Sequence, residues 1–149
     1  YARDHGRLRL PPITAGNPVY WGDATAQDLV NSVKLELTGT GSVTGALLAV
    51  DHTLVNPGLY KPVGVWEFAG ASGVTGGKLT FLYDAAQRAS MDIDESRLRV
   101  WRHNGASWVN VTDTGGLDTG ANTIRTATIN PFGQFAVAPT EQGTMIQIQ

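Results

Sequence analysis

The chain has 149 residues, a formal net charge of −2 and no cysteine, and only 16% of its residues are charged. A chain of this length is expected to form one domain with a single core. The low charge argues against a nucleic-acid partner, and the lack of cysteine excludes a disulfide framework and a thiolate metal site. No apolar run approaches the ~18 residues of a membrane-spanning helix, so we expect no membrane span.

The first part of the chain predicts two short strands. Residues 7–10 alternate basic and apolar side chains, which puts Leu8 and Leu10 on one face of a strand. A pair of prolines ends this strand, because proline cannot donate a hydrogen bond to a β-ladder. Residues 17–21 form a second candidate strand. Residues 23–31 are read as either a helix of about two turns or a polar loop.

Apolar alternation continues through the middle of the chain and predicts further strands. These strands lie at residues 33–38, 43–50, 60–68 and 79–83. A glycine-rich stretch, residues 70–77, is expected to be a loop. A longer connection at residues 84–96 has room for a short helix.

The C-terminal third contains the clearest hairpin signal. Asn104-Gly105 separates two alternating apolar runs, and this dipeptide is typical of a two-residue type I′ turn. A Gly-, Asp- and Thr-rich loop follows, and then strands at residues 122–128 and 134–138. The whole pattern predicts an all-β fold, an antiparallel β-sandwich of immunoglobulin-like or jelly-roll-like type, with nine or ten strands and at most one short helix.

Residues 1–139 are assigned to one sandwich domain, and residues 140–149 to a linker followed by a strand. In this last segment Thr144, Ile146 and Ile148 alternate with polar or flexible residues. The segment is either an extra edge strand of the same domain or a strand donated to a neighbouring subunit or adjoining domain. Residues 7–10 could serve the same purpose at the other end, and the chain is therefore a candidate homo-oligomer.

An acidic cluster, Asp92, Asp94 and Glu95, offers oxygen ligands for calcium. A solvated loop is the more common meaning of such a run, and no other cofactor is expected. A carboxylate pair could also serve a glycoside hydrolase, but the sequence does not show whether two carboxylates share a cleft. The chain has no Gly-x-Ser-x-Gly nucleophile turn, and we do not expect an enzyme.

Tryptophans are the remaining candidate binding residues. Trp101 lies between Val100 and Arg102, so it points outward if Val100 points into the core. Trp101 and Trp21 could stack on sugar rings, which suggests a carbohydrate-binding module as an alternative function. Trp108 is expected to pack inside.

Residues 59–139 resemble a β-sandwich module of large secreted and cell-surface bacterial proteins. The resemblance rests on LTFLY at 79–83, DESRLRVWR at 94–102, Gly105 followed by Trp108, and FGQFAVA at 132–138. The chain has Gly133 where such modules often have serine. The resemblance implies an extracellular, cell-surface location and a noncatalytic structural or adhesive role. Together with the terminal strands, it suggests a self-assembling subunit of a fibre or surface layer.

Overall fold

Eleven strands and one short helix make up the structure, a computed structural model that describes residues 32–39, 41, 43–48, 59, 61–70 and 73–140. At 7–9, 19–21 and 46–48 the backbone alone is described. The elements are β1 Arg7–Arg9, β2 Val19–Trp21, β3 Val33–Gly39, β4 Val43–Leu48, β5 Gly64–Gly70, β6 Val74–Leu82, α1 Ala85–Ser90, β7 Leu98–His103, β8 Trp108–Asn110, β9 Thr112–Asp118, β10 Thr123–Thr126 and β11 Gly133–Pro139.

The strands form two antiparallel sheets. One has six strands in the order β1-β4-β5-β11-β7-β8, and the other has five in the order β2-β3-β6-β10-β9. This confirms the predicted all-β antiparallel sandwich, with eleven strands where nine or ten were expected. The extra strand arises because the Gly-, Asp- and Thr-rich segment expected to be a loop forms β9, which pairs with β10.

The core lies between the sheets and follows the predicted alternation. Val33, Leu35, Leu79 and Phe81 are fully or almost fully buried on the five-stranded sheet. From the six-stranded sheet Trp66, Phe68, Val100, Phe135 and Val137 join the same cluster. Fully burying a large apolar side chain contributes about 1.5–3 kcal/mol, so this cluster is the main source of stability.

The glycine-rich stretch at 70–77 is largely strand, because β6 begins at Val74. Gly77 lies directly opposite Leu37 on β3. A Cβ atom at Gly77 would lie 2.7 Å from the Glu36 carbonyl oxygen and 2.5 Å from Leu37 Cδ2. Glycine is therefore needed here because the two strands approach so closely, and it does not mark a loop.

The connection between β6 and β7 contains the short helix α1 and a single 3₁₀ turn, Glu95–Arg97. Asp84 begins α1, since its carboxylate accepts hydrogen bonds from the backbone N–H groups of Ala86 and Gln87, each at 3.0 Å. The other helix candidate, residues 23–31, lies outside the described residues. No helix in the described part of the chain is long and apolar enough to cross a bilayer.

Candidate functional site

Trp101 lies on the outer face of the six-stranded sheet. Its neighbour Val100 is buried in the core opposite Val137, whereas Trp101 is opposite Ala136 on the other face. The indole Nε1 donates a hydrogen bond of 2.9 Å to the Ala138 carbonyl oxygen, and the side chain is half-buried. The ring is therefore held against the sheet and presents only part of its surface to a ligand.

Trp108 lies on this same outer face. It packs against a second apolar cluster built from Val65 and Ala136, and it meets His103 edge-on at 5.1 Å between ring centroids. The expectation that Trp108 packs inside is wrong for the main core. The reason is the register of the hairpin, because Trp108 is directly opposite His103, which shares the face of Trp101.

Trp21 and Trp101 belong to different sheets. Trp21 ends β2 at the edge of the five-stranded sheet, where its backbone is opposite Val33. Its side chain lies outside the described part of the structure. The backbone positions of the two tryptophans therefore lie on different sheets.

Glu95 and Asp94 of the acidic cluster each make separate structural contacts. Glu95 accepts a hydrogen bond from the Tyr83 hydroxyl and lies 3.8 Å from Arg88 Nη2. Asp94 begins the 3₁₀ turn, since its Oδ1 accepts from the Ser96 backbone N–H at 3.0 Å and from its hydroxyl at 2.7 Å. Across the described residues, no group of three or more acidic, histidine or cysteine side chains is arranged to hold a metal ion.

These contacts also shift the pKa values of Asp94 and Tyr83. The Ser96 hydroxyl and backbone N–H hold the pKa of Asp94 below its ordinary value, which keeps the carboxyl ionised. A hydrolase acid would need a raised pKa to stay protonated. Burial, with the Glu95 hydrogen bond, raises the pKa of the Tyr83 phenol, so this phenol remains a donor to Glu95.

A cavity of about 370 Å³ lies beside the connection between β6 and β7. Its walls carry both signs of charge, from Lys61, Asp92, Asp94 and Arg97. The basic groups make structural bonds: Lys61 Nζ donates to the Met91 carbonyl oxygen at 3.1 Å, and Arg97 Nε donates to the Thr140 carbonyl oxygen at 3.3 Å. These bonds connect the loop before β5 and the end of β11 to the connection that carries the acidic cluster.

Both sheets end in strands with an unpaired side within the described residues. β1 and β8 are the edges of the six-stranded sheet, and β2 and β9 are the edges of the five-stranded sheet. Of the candidate assembly residues, Leu8 lies in β1 opposite Gly45. Leu10, Thr144, Ile146 and Ile148 lie outside the described residues.

Sequence reasoning missed two features of these surfaces. The pairing of β1 with β4 joins residues more than thirty positions apart, and no local pattern identifies such a partner. The contact of Arg88 with Glu95 had a weak signal, because a half-buried carboxylate favours a donor or a cation nearby and Arg88 is the nearest basic residue before it.

Comparisons of the chain with protein-family models, with curated protein sequences and with solved structures find no match.

Proposed function

We propose that this chain is a noncatalytic structural or adhesive module of a bacterial extracellular surface protein, in which terminal strands join neighbouring copies or adjoining domains. The observation that carries the proposal is the position of β1. This three-residue strand comes from the N-terminal segment and completes one edge of the six-stranded sheet. A terminal strand at a sheet edge can be supplied by another copy with the same contacts, which is the simplest route from a folded domain to an assembly.

β4 offers a longer edge than β1 covers. β1 pairs with Thr44, Gly45 and Ala46, whereas β4 pairs with β5 along its full length from Val43 to Leu48. Half of the β4 edge therefore has no strand partner within the described part of the chain. A longer donated strand would gain further main-chain hydrogen bonds on this edge.

The other edges are less suited to receive a strand. β2 and β8 have only three residues each. In β9 the pairing with β10 shifts register and Gly115 has a φ of +70°, so the strand is bulged. Short strands and bulges are the usual protection of a sheet edge against unwanted pairing. Assembly through β4 would thus be selective.

Strand exchange can be tested with single cysteines because the natural chain has none. Arg9 and Thr44 are directly opposite each other, and opposite residues in an antiparallel pair have Cα atoms about 4.5–5.5 Å apart, within disulfide range. Chains carrying Arg9→Cys are refolded together with chains carrying Thr44→Cys and then oxidised. We expect a disulfide-linked heterodimer on a non-reducing gel.

The matched control replaces Thr44→Cys by Thr80→Cys, a half-buried position on the other sheet. If the Arg9→Cys and Thr44→Cys chains form no more heterodimer than the control pair, while one chain with both cysteines closes an internal disulfide, β1 is not exchanged. The surface location is tested separately, by labelling intact source cells with a reagent that does not cross membranes.

A carbohydrate-binding module is the second candidate. It is favoured by the position of Trp101 on an outer sheet face that also holds Trp108 and His103. Binding to a glycan array that falls on Trp101→Phe would support it, and the absence of binding to any glycan would remove it. Phenylalanine is chosen because it keeps most of the ring packing while removing the indole surface. Trp21→Phe gives the same test for the other sheet.

A further inference from the structure

The hairpin turn between β7 and β8 brings together the groups that convert an asparagine into a cyclic imide. Asn104 is followed by Gly105, which is exposed and has a φ of +97°. A Cβ atom at Gly105 would meet nothing within 4 Å, so no other part of the described structure crowds the Gly105 Cα. The Gly105 backbone nitrogen can close a five-membered ring on the Asn104 side-chain carbon, and ring closure within one chain needs no encounter of two molecules.

An imidazole base is hydrogen-bonded to the attacking nitrogen, the backbone nitrogen of Gly105. The Gly105 backbone N–H donates a hydrogen bond of 3.1 Å to His103 Nδ1. Because Nδ1 accepts this bond, its lone pair faces the Gly105 N–H and the ring proton is on Nε2. The imidazole is therefore within reach to take the proton from the nucleophile, as a general base must be. Its ring is further oriented by the edge contact with Trp108.

Two backbone N–H groups donate hydrogen bonds to the oxygen that becomes negatively charged during the attack. Asn104 Oδ1 accepts hydrogen bonds from the backbone N–H groups of Ala106 at 2.9 Å and Ser107 at 2.8 Å. When nitrogen attacks the side-chain carbonyl, charge develops on this oxygen, and preorganised N–H donors stabilise such an oxyanion. The turn thus supplies a nucleophile, a base and an oxyanion site at one residue pair.

We propose that Asn104-Gly105 is a self-modification site at which the folded turn promotes deamidation of Asn104. Gly105 N forms a bond to Asn104 Cγ, and its proton passes to His103 Nδ1. The Cγ–Nδ2 bond then breaks, and Nδ2 leaves as ammonia with the proton that His103 held. Water then opens the ring at either carbonyl and gives aspartate or isoaspartate at position 104.

The product changes the edge of the six-stranded sheet. A carboxylate beside His103 makes the chain one charge more negative, and isoaspartate adds one carbon to the backbone of the turn. Asn104 Oδ1 holds the turn through two hydrogen bonds, so the β7–β8 hairpin is the element that the modification alters. This inference is independent of the proposed strand exchange at β1.

One tryptic peptide measures the reaction with its own control. Trypsin cuts after Arg102 and Arg125, so peptide 103–125 contains Asn104, Asn110 and Asn122. Asn110 is the matched control: it is exposed and its Oδ1 accepts the Thr112 backbone N–H at 3.0 Å, but it precedes Val111 and not glycine. The full chain is aged at neutral pH, and fragment masses give the deamidated fraction at each asparagine.

We expect Asn104 in the folded chain to react faster than Asn110 and faster than Asn104 in the same chain unfolded in urea. His103→Phe keeps an aromatic ring against Trp108 but removes the base. It should slow the folded reaction about tenfold or more and leave the reaction in urea little changed. A slower reaction at Asn104 in the folded chain than in urea would overturn the proposal. An unchanged rate in a His103→Phe variant with an unaltered unfolding midpoint would do so as well.

Discussion

Thr126 shows how a single polar group is accommodated in an apolar core. Its side chain is fully buried, and its Oγ1 accepts a hydrogen bond of 3.0 Å from the Leu79 backbone N–H. The same hydroxyl donates to the Ala127 carbonyl oxygen at 2.7 Å. The side chain thus satisfies a strand N–H of β6 near the register shift of β10.

Thr126→Val should lower the free energy of unfolding by roughly 1–3 kcal/mol, because the Leu79 N–H would remain buried without an acceptor. Urea denaturation measures this loss. Thr80→Val, the same chemical change at a half-exposed position one residue from Leu79, should have a much smaller effect. Equal losses in the two variants would contradict the role given to the hydroxyl.

The residue type at Asn104 indicated a hairpin but not the geometry of its turn. The sequence correctly predicted a hairpin here, but the two-residue type I′ turn is wrong. Gly105 has a positive φ and Asn104 does not. The loop spans residues 104–107 and is closed by the bond from the Asn104 N–H to the Ser107 carbonyl oxygen. Asparagine stabilises it through its side chain, which competes with the backbone for the N–H groups of the turn.

At the scale of elements, Asp113 connects three neighbouring strands of the five-stranded sheet. Its Oδ2 on β9 accepts hydrogen bonds from Arg125 Nε at 3.0 Å and Nη2 at 2.8 Å on β10. Lys78 Nζ on β6 lies 3.7 Å away. The hydrogen bonds from Arg125, together with these positive charges, hold the pKa of Asp113 below its ordinary value of 3.8.

This shift predicts a pH dependence of stability. A carboxyl with a lowered pKa in the folded state stabilises the fold above its unfolded pKa, and the contribution is lost as the pH falls through the folded pKa. The unfolding free energy should therefore fall as the pH drops below 3.8. Asp113→Asn should lose less stability than the natural chain between neutral and acidic pH in urea titrations. Asp92→Asn, at an exposed position in the connection between β6 and β7, is the control. If the natural chain and Asp113→Asn lose the same unfolding free energy between neutral and acidic pH, the prediction is contradicted.

At the scale of the whole molecule, three aromatic rings connect the two sheets. Phe81 on β6 packs against Trp66 on β5 at 4.7 Å and against Phe135 on β11 at 6.0 Å between ring centroids. All three side chains are fully buried. Tilted aromatic contacts of this kind add to the stabilisation from buried area.

Phe81→Ala should cost about 3–5 kcal/mol, because it leaves a cavity between the sheets. The total free energy of unfolding of a native domain is about 5–15 kcal/mol. We therefore expect a large drop in the thermal midpoint measured by circular dichroism. Val109→Ala removes an apolar side chain that is 43% exposed and should change stability by less than about 0.5 kcal/mol. A similar midpoint for both variants would show that the inter-sheet rings are not the centre of the core.

The sequence by itself determined the fold class and which face of each strand is buried. The tertiary structure decided which strands pair and which distant side chains are in contact. Alternation is a local property, because neighbouring side chains of a strand point to opposite faces, so the buried side of β3 and β6 was readable in advance. The pairing of β1 with β4 and the place of Trp108 depend on contacts between distant residues. The contacts of Glu95 with Tyr83 and Arg88 also depend on how distant parts of the chain pack. Such contacts form because the whole chain buries its apolar surface at once, and no single segment encodes that choice.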